Sequence, residues 1–107
     1  MTAHRRVNVL IGVLLIGLAN LGFSQTSTIS YKTKCEVCHG TAGLADTPEA
    51  KHLHVLPFND PSIVAKSDAE LSATIQNGSG KMPSFKNRIT DAELNNLIRY
   101  IRQVQNR

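Results

Sequence analysis

Cys35, Cys38 and His39 stand in the run Cys35-Glu36-Val37-Cys38-His39, which sets two thiols and an imidazole within five residues. On a helical turn, positions i and i+3 share a face and the next residue projects from the adjoining side, so all three side chains can address one flat partner. Cys-x-x-Cys-His is the spacing of c-type haem attachment: the thiols add across the two vinyl groups of the porphyrin, and the tethered histidine reaches the iron from one axial side. Three other chemistries use parts of the pattern. A redox dithiol needs a strand, helix and strand around it, and strand patterns are sparse here. A structural zinc site needs four ligands, which Cys35, Cys38, His39 and one of His52 or His54 supply in number, but without the usual spacing of a second ligand pair. A disulfide between the two cysteines would close a very small loop and constrain little.

An iron held by one histidine has a second axial position, and its occupant decides what the iron can do. Apart from the initiator, Met82 is the chain's only methionine. It sits in Gly78-Ser79-Gly80-Lys81-Met82-Pro83, where the glycines let the backbone approach a macrocycle closely and Pro83 stiffens the exit. His52 and His54, 13 and 15 residues beyond His39, are the competing ligands and are otherwise exposed loop histidines. Bis-histidine ligation would lower the potential relative to histidine with methionine. An iron with no second ligand would be open to small molecules, the route to catalysis or sensing and the alternative to electron transfer.

The elements that must position these residues occupy a short stretch. Residues 1–24 read as a secretory signal: His4, Arg5 and Arg6 form a basic start, Val9 to Leu18 is almost wholly apolar, and Gly22-Phe23-Ser24 places small residues where a signal peptidase reads. Cleavage after Ser24 leaves residues 25–107 as one small domain in the periplasm. The competing reading is a retained anchor to the outer face of the cytoplasmic membrane. Asn8 and Asn20 interrupt the apolar stretch, which falls short of the roughly 20 residues a bilayer requires, so no span is expected after processing. Arg5 and Arg6 leave with the signal, so twelve basic residues become ten against eight acidic ones and the formal charge drops from +4 to +2. No basic stripe is interleaved with aromatics, which argues against a nucleic-acid partner. A domain this small has a thin core of its own and commonly relies on a metal or covalent crosslink, a role that a tethered macrocycle fills.

Along the mature chain, a brief helix is expected to run into the cysteine motif, with Tyr31 one turn before Cys35. Residues 40–48 read as a loop, and Pro48 to His52 as one helical turn. Leu53, Val55, Leu56 and Phe58, flanked by Pro57 and Pro61, read as an extended loop, since the prolines would deny a strand its ladder hydrogen bonds. Ser67-Asp68-Ala69-Glu70 is a capping box opening a helix whose apolar face comprises Leu71, Ala73 and Ile75 and which ends at Gly78. Thr90-Asp91-Ala92-Glu93 is a second box, with Ile89 and Leu94 placed as its hydrophobic staple. Leu94, Leu97, Ile98, Ile101 and Val104 then recur at helical spacing, and Arg99, Arg102 and Arg107 lie towards the negative end of the helix dipole.

With Cys35-x-x-Cys38-His39 near the start, Gly80-Lys81-Met82-Pro83 before the last helix and Tyr100 within Leu97-Ile98-Arg99-Tyr100-Ile101-Arg102, the chain resembles the small bacterial class I cytochromes c over nearly all of residues 27–105. The resemblance implies an all-α fold of about three to five short helices wrapped around one covalently attached haem c. Cys35 and Cys38 would make the thioethers, and His39 and Met82 would be the axial iron ligands. It implies an electron carrier rather than an enzyme, monomeric, meeting redox-protein partners by transient docking. The first and last helices would cross near the haem edge with Tyr31 and Tyr100 at the contact. Ser27 stands where many members carry glycine, and Pro48 is the candidate for the proline whose carbonyl orients the histidine. Lys81 and Lys86 would supply part of a positive rim towards an acidic partner.

Overall fold

The chain is described by a computed structural model over residues 29–107; the expected signal peptide, residues 1–24, and Ser27 lie outside that range. Residues 29–34 form α1, which reaches the cysteine motif through a single turn residue, Cys35. The Cys35 amide still donates to the Tyr31 carbonyl at 2.9 Å, and the His39 amide to the Cys35 carbonyl at 2.9 Å, so α2 (Glu36–His39) continues where α1 stops. Gly40, at φ 84°, ends α2 in a conformation that glycine adopts without strain.

A loop then leads to α3 (Pro48–Leu53). Thr47 caps it, accepting from the Ala50 amide at 3.0 Å, and Pro48 occupies the first turn, where its missing N–H costs nothing. The same Thr47 hydroxyl donates to the Val37 carbonyl at 3.0 Å, which ties the start of α3 to the cysteine motif. His54 closes α3 in the left-handed region, φ 55° and ψ 42°, and residues 55–57 carry no regular secondary structure. One short helix was not expected: α4 (Pro61–Val64), capped by Asp60, whose carboxylate accepts from the Ser62 amide at 2.9 Å. Pro61 begins this helix as well as excluding a strand.

Both capping boxes form in full. At α5 (Asp68–Asn77) the Glu70 amide donates to the Ser67 hydroxyl at 3.1 Å and the Ser67 amide to the Glu70 carboxylate at 2.7 Å. At α6 (Asp91–Gln105) the corresponding distances are 3.1 Å to Thr90 and 2.8 Å to Glu93. Leu94, Leu97, Ile98, Ile101 and Val104 are all buried, and Ile89 packs on the cluster that contains Leu94. Fully burying one such side chain contributes roughly 1.5–3 kcal/mol, so this single stripe is the main apolar wall of the domain. Leu71 and Ile75 of α5 meet it, together with Tyr31, Phe58 and Phe85. Ala73 is exposed rather than on that face, because its position on the turn points away from Leu71 and Ile75. Asn96 is buried within α6, its amide oxygen accepting from Arg99. Arg102 does more than face the helix dipole: it pairs with Asp68 at 2.9 Å and donates to the Lys66 carbonyl at 2.5 Å, fastening α6 to the start of α5.

The fold is all-α: among the described residues there are six helical segments and no strand, only an isolated bridge between Ser79 and Met82. The count exceeds three to five because Cys35 divides α1 from α2 and α4 is additional. Among those residues no helix is long and apolar enough to cross a membrane.

Candidate functional site

Helices α1 and α2 meet the far end of the chain through α6. The Tyr31 and Tyr100 rings lie 4.6 Å apart, centroid to centroid. The Ser30 hydroxyl donates to the Glu93 carboxylate at 3.0 Å, and Lys34 approaches the same oxygen at 3.4 Å. Each tyrosine also holds the backbone just past the motif: Tyr31 Oη donates to the Gly40 carbonyl at 2.5 Å and Tyr100 Oη to the Thr41 carbonyl at 3.3 Å. Burial of Tyr31 pushes its phenol well above the usual range, so it acts as a donor throughout neutral pH.

Beside this crossing opens a cavity of about 450 Å³, within the size range of sites for small molecules and cofactors. Cys35, Cys38 and His39 line it, and so does Met82, from the loop between α5 and α6. Leu53 at the end of α3 and Val55, Leu56 and Phe58 just beyond it line another side, and Leu97 and Ile101 of α6 a third. The four sequence-derived site residues are therefore gathered on one mostly apolar space. Of the competing histidines, His54 also lines the cavity and His52 does not.

The thiols of Cys35 and Cys38 are free and half-buried. Burial pushes the Cys35 thiol up to about 11, against the opposing influence of Lys34. That is the reverse of the lowered value a redox-active dithiol needs. The His39 imidazole is pushed below its ordinary value by burial, which favours the neutral ring that ligates a metal. Among the described residues no three or more His, Cys, Asp or Glu side chains come together to hold a metal ion, so the motif does not recruit His52 or His54 into a four-ligand zinc site. Two thiols, a neutral imidazole and a thioether facing one apolar cavity suit an iron porphyrin in donor type and in volume.

The Met82 loop is built by main chain. Ser79 and Met82 exchange amide-to-carbonyl bonds of 3.1 and 2.9 Å, while the Phe85 and Lys86 amides donate back to the Ile75 and Gln76 carbonyls at 3.0 and 3.1 Å. Gly78, at φ 77°, cannot be another residue without displacement, since a Cβ there would lie 2.7 Å from the Met82 carbonyl oxygen.

Three expectations need correction or addition. Pro48 does not orient His39: it opens α3, and no protein group accepts from His39 Nδ1, which is buried. What lies against the imidazole is Phe58, stacked at 4.7 Å between centroids with 26° between planes. Phe58 was legible as part of an apolar cluster, but nothing local could show this contact. Of the two lysines, Lys81 lines the cavity and Lys86 does not; Lys34 and Lys66 join Lys81 there instead.

A family model described as cytochrome C oxidase, cbb3-type, subunit III matches residues 27–101. The comparison with curated proteins finds no match.

Proposed function

The chain belongs to the family of c-type cytochromes to which that match assigns it, a small monohaem class I cytochrome c carrying one covalently attached haem c in the service of electron transfer, and we propose from this that it is a periplasmic electron carrier whose iron is ligated by His39 and Met82. The observation that carries the proposal is the shared cavity: Cys35 reaches it from the turn between α1 and α2, Cys38 and His39 from α2, and Met82 from a loop more than forty residues later.

When bound, the haem supplies a one-electron centre that alternates between ferric and ferrous iron. Cys35 and Cys38 provide the thioether links, so the cofactor is not lost during repeated encounters. His39 offers a half-buried imidazole whose burial favours the neutral ring, and Met82 a thioether whose backbone is fixed by its pairing with Ser79. Holding both ligands in one place keeps reorganisation small when the charge changes, and burial of the sulfur raises the potential. Transfer then needs only docking, with no substrate bond made or broken, which is why the reading is a carrier and not an enzyme.

The partner is a redox protein that docks transiently on a small patch. Lys66 and Lys81 at the cavity give that patch a positive edge suited to an acidic surface, while Lys34 is paired with Glu93. Charge reversal at Lys66 and Lys81 should slow reduction by an acidic donor at low salt and have little effect at high salt. An unchanged low-salt rate would remove the lysines from the account. Export after Ser24 and a monomeric state belong to the same proposal.

The test of ligation is optical. Ferric protein should show the weak near-red band of sulfur-to-iron charge transfer, and Met82→Ala should lose it. A native spectrum that is high-spin and five-coordinate would favour the open-site alternative, an iron free to bind small molecules.

A further inference from the structure

A histidine that ligates a metal almost always donates its second ring N–H to a carbonyl, carboxylate or water, and that bond fixes the ring's rotation. His39 departs from this in its protein surroundings: among the described residues its Nδ1 is the one buried side-chain polar atom with no partner. The backbone around it is well tied, with the His39 carbonyl accepting from the Ala45 amide at 2.9 Å, yet no protein hydrogen bond reaches the imidazole nitrogen. The ring is held another way. Phe58 lies nearly parallel to it, 26° between planes and 4.7 Å between centroids, a stacked contact of the kind that flat rings prefer when offset.

Phe58 is itself clamped from several directions. It is buried and meets Tyr31 edge to face at 6.2 Å and 62°. Its amide donates to the Gly43 carbonyl at 2.8 Å, and its carbonyl accepts from the Gln105 side chain at 3.0 Å. Gly43, at φ 69°, leaves space for the ring: a Cβ there would lie 2.3 Å from Phe58 Cδ2 and 3.0 Å from the Val104 side chain. A flat side chain whose backbone is bonded at both amide and carbonyl, and whose ring packs against Tyr31 and Gly43 while lying on the imidazole, is a rigid template for it.

We propose that Phe58 is the positioning residue for His39, setting the rotation of the imidazole about its bond to the iron by ring stacking in place of a hydrogen bond at Nδ1. The inference rests on His39 being an iron ligand, as proposed above. The consequence is that the imidazole lacks the extra basicity that a strong acceptor would induce, and that its orientation depends on the flat shape of residue 58.

Nuclear magnetic resonance of the haem-loaded protein tests this. In the ferrous native state, His39 ring protons carried far upfield by the porphyrin ring current would establish ligation, and nuclear Overhauser contacts from them to Phe58 ring protons are expected. Upfield His39 signals without contacts to Phe58 would overturn the positioning role alone, whereas their absence from the upfield region would remove the ligation on which it stands. In the ferric state the order of the four shifted haem methyl resonances reports axial-ring orientation. Phe58→Leu should change that order and move the midpoint potential while the near-red Met82 band persists, and Phe58→Tyr should retain the native order. A Leu variant with native methyl order and potential would overturn the proposal, and if that variant fails to hold haem, the native-state contacts decide it.

Discussion

The two walls of the cavity that present His39 and Met82 are held in place by different means. Around His39 the work is done by side chains in addition to the helical main-chain bonds: Tyr31 and Tyr100 hydroxyls hold the carbonyls of Gly40 and Thr41, the Thr47 hydroxyl holds that of Val37, and Phe58 lies on the imidazole itself. Around Met82 it is done mostly by main chain, through the Ser79–Met82 pair and the bonds from Phe85 and Lys86 to the end of α5. Histidine is delivered at the end of a helical turn and needs only orientation, whereas methionine is delivered on a loop that must first be given a shape. The sensitivity of each wall to substitution should differ accordingly: side-chain deletions act on the first, and backbone perturbations on the second.

The largest effect that would test this contrast is expected at Gly78. A Cβ at that position would lie 2.7 Å from the Met82 carbonyl oxygen and 2.9 Å from the Ser84 amide, at a positive φ that side chains tolerate poorly. Gly78→Ala should cost roughly 1–3 kcal/mol, or more where the loop cannot yield, and weaken the near-red band without disturbing the His39 side. Denaturant titration and the ferric spectrum together check both parts. A stable variant with a full band would mean that the loop does not depend on its backbone conformation.

Tyr31→Phe comes next. It removes the hydroxyl that holds the Gly40 carbonyl and leaves that buried acceptor unpaired, for a loss of about 1–3 kcal/mol. The midpoint potential should shift while the Met82 band stays. Loss of the band instead would break the division between the two walls.

The smallest effect concerns acid. Glu93 is held below the usual carboxylate range first by the Thr90 amide, then by the Ser30 hydroxyl and by Lys34. Its folded-state value is depressed, so its contribution is present above the ordinary carboxylate range near pH 4.5 and is lost as pH falls through the folded value. Glu93→Gln should therefore be less stable than the native protein at neutral pH, with the gap closing in acid. A gap that stays constant across that window would show that ionisation of Glu93 contributes nothing to the joint between α1 and α6.

Legibility in the sequence followed the same division between local and distant causes. Both capping boxes and the α6 stripe could be read directly, since a capping box and a helical stripe are written in consecutive residues and their spacing. Cys35, Cys38, His39 and Met82 could be read as candidates by type and spacing, while their convergence on one cavity depends on the packing of α1 against α6. Helix α4 carries its start signal in Asp60-Pro61, but a proline beside an apolar run excludes a strand and opens a helix by the same loss of its N–H, so the signal is ambiguous in sequence. The contact between His39 and Phe58 joins residues nineteen apart and has no local signature, whereas Pro48 opens α3. Asn96 likewise sits buried in a stripe that periodicity marks as polar there, its exposure set by what packs over it rather than by its type.

The most direct measurement is iron K-edge X-ray absorption on the native protein and on Met82→Ala. One sulfur scatterer bonded to the iron in the native protein, replaced by light atoms alone in the variant, is the expected result. A native iron surrounded only by nitrogen and oxygen would contradict ligation by Met82, and with it the reading of the cavity as a six-coordinate electron-transfer centre.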